Sequence, residues 1–354
     1  MIGEYGNEIY YSGLKLYGDT AYLFDPNTIL EMTSNDKWNS CLLEVRNVQN
    51  VLITGGQLRG DRDTHIFTPR SDGATAHDEG HLICLEGKDT ANVTIHSTIM
   101  RNASGDGVLI VGGTTPDPSV DNVDIINNDI GYNRRQGISL VGATNVRIED
   151  NEIHHINGTA PQFGIDFEGP NRLNENAVIR NNYFHHNRGG DIVNTDGRNV
   201  LIENNVLEQG EGSSYVDGPL VYWKKGDMTV RYNEITMTSM SVNNWNGIIM
   251  YSNTLPKTNP ATTYIYENIC NGCGMYMYYG ADLVIRDNTL FNGHIALKDF
   301  TNVTVNNNKV IGSRAHCWPY RFLRVRGSAS GNTLDGNAVD IPLRTDSDYS
   351  DCWL

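Results

Sequence analysis

No stretch of this sequence is apolar for anything near the ~20 residues that cross a membrane, and its first residues show no basic segment followed by an apolar core. Membrane insertion is therefore not expected. Basic residues are scarce: 27 Lys and Arg stand against 42 Asp and Glu, a formal net charge of −15. Broad contact with nucleic acid would call for a basic stripe, which this balance disfavours. A neutral glycan, or an anionic one met by local arginines, stays compatible with it. Helical periodicity long enough for a βαβ alternation is also missing. Six cysteines (Cys41, Cys84, Cys270, Cys273, Cys317 and Cys352) are too dispersed to read as a disulfide framework. Cys270-Asn-Gly-Cys273 is the one close pair, with no second pair or ordered histidine to complete a zinc site. Cys84 and Cys270 therefore read as small apolar core residues.

What the chain does have is a repeat. Asn122–Ile130 (NVDIINNDI) returns at Asn145–Ile153, Asn176–Phe184, Asn199–Leu207, Asp227–Ile235, Thr262–Cys270, Asp282–Leu290 and Asn302–Val310. Every copy carries asparagine at its seventh place: Asn128, Asn151, Asn182, Asn205, Asn233, Asn268, Asn288 and Asn308. The copies start 20 to 35 residues apart, the period of a solenoid with loop insertions. Alternating apolar residues within a copy give a short strand, a bend and a second strand. Asparagine at the bend tolerates left-handed backbone, and coils stacked ~4.8 Å apart let its amide bond the asparagines above and below. Asn92-Val-Thr and Asn302-Val-Thr match glycosylation acceptors, but both lie inside repeat copies and read as ladder sequence.

A second recurring strand is usually opened by glycine, at Gly107–Val111, Gly137–Val141, Gly164–Glu168, Gly218–Tyr222, Gly247–Tyr251 and Gly274–Tyr278. His81–Leu85 and His294–Lys298 have histidine in the glycine place. Several strands per coil, stacked in parallel, predict an all-β chain: a single right-handed parallel β-helix of about ten coils with an asparagine ladder. A solenoid grows along its axis, so 1–354 is expected to be one domain, with first coils over 1–58, an inserted loop over 59–81, regular coils over 82–334 and a C-terminal tail over 335–354. No capping helix precedes the first strands, so the chain is expected to enter the solenoid partway along, as part of a longer protein.

The chemistry concentrates between Arg59 and Asp191. A charged insertion, Arg59-Gly-Asp-Arg-Asp-Thr-His65, closes on Asp78-Glu-Gly-His81; then follow Ser104-Gly-Asp-Gly107, Asn133-Arg-Arg-Gln-Gly-Ile-Ser139, Gly164-Ile-Asp-Phe-Glu-Gly-Pro170 and Arg188-Gly-Gly-Asp191. Strand alternation turns Ile165 and Phe167 inward, so Asp166 and Glu168 face outward, roughly 7 Å apart. Ser139 and Leu109 share Asp166's column, and Asp106 is expected on the order of 10 Å from Asp166. His81 is expected in a column with Gly107, Gly137 and Gly164, leaving a trough where a sugar ring would lie.

Paired carboxylates on a groove suit glycoside cleavage, which needs one protonated acid and one ionised base or nucleophile. The expected roles are Asp166 or Glu168 as base, Asp106 as acid or its partner, and His81 as an orienting or proton-transferring group. Arg134, Arg135, Gln136, Asp78, Glu79, Asp61, His65 and Asp191 are expected to contact substrate. No resident metal is called for, though a divalent cation such as calcium is compatible.

The coil pattern over about Arg46 to Leu334 resembles the pectin-lyase-like superfamily of right-handed β-helices. More narrowly, Gly60–His65, Glu79–His81, Gly105–Gly107, Asn133–Ser139 and Gly164–Pro170, in that order, resemble β-helix proteins of phage tail spikes and appendages and of secreted bacterial glycan-degrading enzymes. That resemblance implies a depolymerase of a bacterial surface or capsular polysaccharide, extracellular or virion-associated, and a homotrimer. The polygalacturonase motifs are absent or misplaced: Asn194-Thr-Asp196 precedes the wrong strand. No full calcium set of the pectate-lyase kind is present, although Arg134 or Arg135 would serve as a lyase base. A β-eliminating lyase is thus the runner-up. A teichoic-acid phosphodiesterase drawing on Asp61, Asp63, His65 and His81, and a non-catalytic stalk that only binds glycan, stand behind it.

Overall fold

A computed structural model describes residues 2–5, 8–68, 77–210, 218–223, 227–237, 247–251, 262–312 and 319–341. Most of the expected C-terminal tail, the middle of the inserted loop, Cys317 and Cys352 lie outside the described residues. Every regular element among them is a strand. In the repeat the first strand is one rung of a continuous apolar column: Ile53, Ile95, Ile125, Ile148, Ile179, Ile202, Val230, Ile265, Ile285 and Val305 are register partners in sequence. All ten are fully buried. Like residues stack on like because each coil repeats the inward positions of the one before, which is why the nine-residue repeat survives loops of different length.

The short strand after each bend builds a separate sheet of thirteen strands. All are parallel except the terminal pair Thr333–Leu334 and Asn337–Ala338. Each parallel strand marks one coil, so the described residues wind through twelve rather than ten. The three coils carried by Ile29–Glu31, Gln57–Arg59 and Ile99–Arg101 have Thr28, Gly56 and Thr98 in place of the motif's asparagine. At the other end Ile2–Tyr5 pairs antiparallel with Glu8–Lys15. Antiparallel pairing thus occurs near both limits of the solenoid, where a bare parallel edge would template association.

The asparagine ladder is present and longer than its eight expected members, running from Asn128 to Asn332. Each Nδ2 donates to the Oδ1 of the next rung at 2.9–3.0 Å. It also donates to a backbone carbonyl of the preceding coil, as Asn205 does to Ile179. The left-handed residue at the bend is not this asparagine but the one before it: Asn127, Asp150, Asn181, Asn204, Tyr232, Glu267, Asp287 and Asn307 have φ between 55° and 58°. The turn therefore aims the ladder amide inward. Shorter, exposed ladders join residues that open some of the copies, including Asn122 to Asn92 and Asn92 to Asn50, as expected for the Asn92 site.

Cysteine is where the sequence reading is corrected. Cys41 is bonded to Cys84 and Cys270 to Cys273, with Cα separations of 6.2 and 5.5 Å, ordinary for disulfides. Cys41 and Cys84 lie on the paired strands Asn39–Arg46 and Glu79–Glu86, a proximity hidden by 43 intervening residues.

Asn205 accepts from Asn182 N and Nδ2 and donates to Ile179 O and Asn233 Oδ1. Asn205→Ala strands those buried partners and is expected to cost about 2–4 kcal/mol in urea unfolding. Asn204→Gly, one residue earlier at an exposed left-handed position, is expected to change stability by less than about 0.5 kcal/mol.

Candidate active site

Five strands form the wall that carries the acids: Glu79–Glu86, Val108–Val111, Ile138–Val141, Phe163–Phe167 and Gly190–Asn194. Register puts Cys84, Leu109, Ser139, Asp166 and Val193 in one outward column, as expected for Ser139, Leu109 and Asp166. Extending the pairing by two residues sets His81 beside Asp106 and Asp106 beside Gln136. His81 is thus one residue out of the glycine column. Gly107, Gly137 and Gly164 instead turn toward the interior, where an added Cβ would meet Ile130, Ile153 and Phe184 side chains at 2.9–3.2 Å. These glycines make room for the core. They do not form the expected sugar trough.

Arg135 is the hub of the wall. Its Nη1 donates to Asp106 Oδ2 at 3.0 Å and its Nη2 to Glu168 Oε1 at 2.8 Å. Ser139 Oγ donates to the same Asp106 oxygen at 2.9 Å, and the backbone N–H of Asp106 donates to His81 Nδ1 at 3.1 Å. His81 Nε2 lies 3.5 Å from Glu79 Oε2, on a carboxylate that reaches solvent. On the next coil Gln136 Nε2 donates to Asp166 Oδ2 at 2.5 Å, and Gln136 Oε1 accepts from Phe163 N at 2.7 Å. Asp106 and Asp166 are 0% and 4% exposed. In each, the second oxygen is buried with no hydrogen-bond partner in the protein, an unusual state for a carboxylate.

These contacts set opposite electrostatics within a few ångströms. Burial pushes the Asp166 carboxyl well above its ordinary value, and the neighbouring Glu168 charge pushes it further; Arg135 offsets this only in part. Burial works against the charge of Arg135, yet Asp106 and Glu168 outweigh it and hold the guanidinium protonated more firmly than usual. His81 follows the same pattern. Burial opposes its protonation, while Asp106 and Glu79 raise its pKa above the free value. The bond from His81 holds Glu79 below the usual carboxylate range, against burial.

Several expected substrate contacts prove to be internal. Asp61 and His65 are buried and joined to each other at 2.7 Å, and His65 Nε2 meets His77 Nδ1 at 2.8 Å. His77, unremarked in the sequence, lies 2.6 Å from the Thr68 carbonyl and packs on Trp38. This chain of contacts ties Asp61, His65, His77 and Thr68 of the inserted loop together. Arg134 lies 4.4 Å over the Phe67 ring and donates to the carbonyls of His77 and Ser104, so it clamps that loop. Half-buried Asp78 acts on it electrostatically. Gln136 is spent on Asp166. Asp191 shares the register position of Gly164, fully buried and bonded by Asn187; the one-residue register step turns it inward. Of the expected set, Asp106, Arg135, Asp166, Glu168, His81 and Glu79 are brought together.

Another grouping was missed. His154, His155 and His185 place one ring nitrogen each within 4.8 Å of one another. The doublets His154-His155 and His185-His186 occupy the same place in successive repeat copies, a signal present in the sequence.

Comparison with known proteins agrees with this architecture. The family described as "Right handed beta helix region" matches residues 117–268. The uncharacterized protein YclG of Bacillus subtilis (strain 168) is 30% identical over 231 residues, covering 60% of this chain and 39% of YclG. The chain thus spans about two fifths of that curated relative. Among solved structures, the family 28 exopolygalacturonase of Yersinia enterocolitica superposes with a TM-score of 0.57 at 15% identity, over 93% of this chain and 72% of its own. A mutant tailspike protein of E. coli bacteriophage HK620, in complex with a pentasaccharide, gives a TM-score of 0.57 at 11% identity, over 91% and 61%. At such identities the likeness shows the fold: the chain is a right-handed parallel β-helix protein. No helix among the described residues is long and apolar enough to cross a membrane.

Because the folded-state pKa of Asp166 is raised, the native state binds its proton more tightly than the unfolded chain, and ionising it above that pKa destabilises the fold. Asp166→Asn is expected to stabilise the protein on the order of 1–3 kcal/mol at neutral pH. The gain should shrink as pH falls through the raised pKa and vanish below the free carboxyl range, as read by urea unfolding across pH.

Proposed function

We propose that this protein is a glycan-degrading hydrolase whose reacting pair is Asp166 and Glu168. The observation that carries the reading is one buried carboxyl with a raised pKa, two residues along a strand from a carboxylate ion-paired to Arg135. Asp166 then protonates the departing glycosidic oxygen and Glu168 is base or nucleophile. This reverses the order read from sequence, because burial raises the pKa of Asp166 while Asp106 is enclosed by Arg135, Ser139 and His81. Asp106 positions Arg135, and through it Glu168. Side chains two apart on a strand have Cβ atoms ~7 Å apart, which favours the inverting geometry. The half-exposed Glu79, with His81 behind it, is the next group along the wall for a sugar hydroxyl.

The polymer is a bacterial surface or capsular polysaccharide and the setting extracellular or virion-associated. Its support is the shared scaffold of polygalacturonase and tailspike, which also motivates a homotrimer. The chemistry draws on no cofactor. A β-eliminating lyase needs a base able to lose its proton, and Arg135, gripped by two carboxylates, is poorly suited to that.

Incubation with a panel of bacterial surface glycans, followed by mass spectrometry of product ends, is expected to show saturated products with one added water. Asp166→Asn is expected to lower kcat roughly 10²–10⁴-fold with KM little changed, and cleavage to persist in a chelator. Unsaturated, ultraviolet-absorbing ends would establish the lyase instead. Binding without cleavage in the parent protein would reduce the wall to a recognition surface.

A further inference from the structure

The histidines outside the acid wall are organised for a second task. His154 ends the strand Glu152–His154 and His185 ends Tyr183–His185, the strand stacked on it. The residue after each, His155 and His186, has left-handed backbone, with φ of 53° and 56°. That conformation turns the second ring of each doublet across the first. His154 Nδ1 faces His155 Nδ1 at 2.7 Å, and His185 Nδ1 faces His186 Nδ1 at 2.7 Å. Like rings stack between coils, His154 on His185 at 4.9 Å and His155 on His186 at 4.6 Å.

Carboxylates fix which nitrogen is available. His154 Nε2 lies 3.0 Å from Asp129 Oδ1 and His185 Nε2 lies 2.9 Å from Glu152 Oε1. An ionised carboxylate only accepts, so each Nε2 carries the proton and each Nδ1 presents its lone pair. Asp129 is itself held by Arg101. This is the carboxylate–histidine arrangement that orients ligands around transition metals. Glycine clears the rung below: a Cβ at Gly131 would sit 2.5 Å from the His154 ring.

We propose that His154, His155 and His185 form a binding site for a borderline transition-metal dication, Zn²⁺ or Ni²⁺, that staples two adjacent coils. The donor set is three neutral imidazoles, suited to Zn²⁺, Ni²⁺ and Cu²⁺ and unsuited to Ca²⁺ or Mg²⁺. Bonds of about 2.0–2.1 Å place tetrahedral donors about 3.4 Å apart. Nitrogens already within 4.8 Å of one another reach that by ring rotation. His155 joins by moving its proton from Nδ1 to Nε2 and His186 turns its Nδ1–H away from His185, so the His154–His155 and His185–His186 hydrogen bonds are exchanged for three metal bonds and the charge on each ring is unchanged. The site is separate from the acid wall, so its fate does not bear on the hydrolase reading.

The test uses the full chain without a histidine tag, titrated with ZnCl₂ by calorimetry and with NiCl₂ by equilibrium dialysis. One equivalent is expected to bind with micromolar or tighter affinity, and Zn²⁺ to raise the midpoint of thermal unfolding. His154→Gln and His185→Gln are each expected to weaken binding at least 10-fold. Asp129→Asn and Glu152→Gln, which touch no metal, are expected to weaken it about 10–100-fold, an effect that a merely stacking histidine pair would not produce. Should the histidine variants fail to fold, Cu²⁺ bound to the parent chain is expected to show nitrogen hyperfine coupling from imidazole by electron paramagnetic resonance. Absence of saturable binding, affinity unchanged in the His154→Gln/His185→Gln double variant, or a Cu²⁺ spectrum without nitrogen coupling would each overturn the proposal.

Discussion

A buried asparagine amide, repeated in every coil from Asn128 to Asn332, is the constraint on which the molecule depends. A parallel solenoid must turn its chain inside the structure, and a buried turn leaves backbone groups that need partners. Each ladder amide supplies them by accepting from the backbone N–H and amide of one neighbouring rung while donating to the next rung and to a strand carbonyl. Because the bond runs from coil to coil, it also locks the register. A one-residue slip would move every inward isoleucine outward.

That locked register makes chemistry available on the outer wall. Asp106, Ser139 and Glu168 lie on three successive coils, and stacking brings them within hydrogen-bond reach of the one guanidinium of Arg135. Arg135 is ion-paired to both Asp106 and Glu168, while Asp166, held by a neutral amide, feels mainly burial and repulsion. Two acids with the same surroundings would compete for one role. Here their unequal partners separate them, the condition under which one carboxyl gives a proton and another takes one. The cost is a pair of buried, incompletely bonded carboxyls, Asp106 and Asp166, in the wall.

The same stacking has a structural use next to the site. The inserted loop is tied to the coils by the buried sequence Asp61, His65, His77 and the Thr68 carbonyl, with Arg134 and Phe67 above it. Charged residues that read as a substrate wall are spent on holding the wall in place. Among its described residues these polar contacts and rings fix the insertion to the coils, so its charge density follows from anchoring as well as from recognition.

The repeat alone determined the solenoid, its ladder and the outward facing of Ser139, Asp166 and Glu168, because each follows from a short local period that stacking preserves. The number of coils was undercounted, since the first coils lack the asparagine that marks the others. Disulfide pairing, the inward turn of Asp191, the burial of Asp61 and His65, and the true neighbours of His81 were settled only by tertiary structure. Each depends on register across coils or on a loop's path, where a shift of one residue reverses a side chain's direction and no local pattern records it.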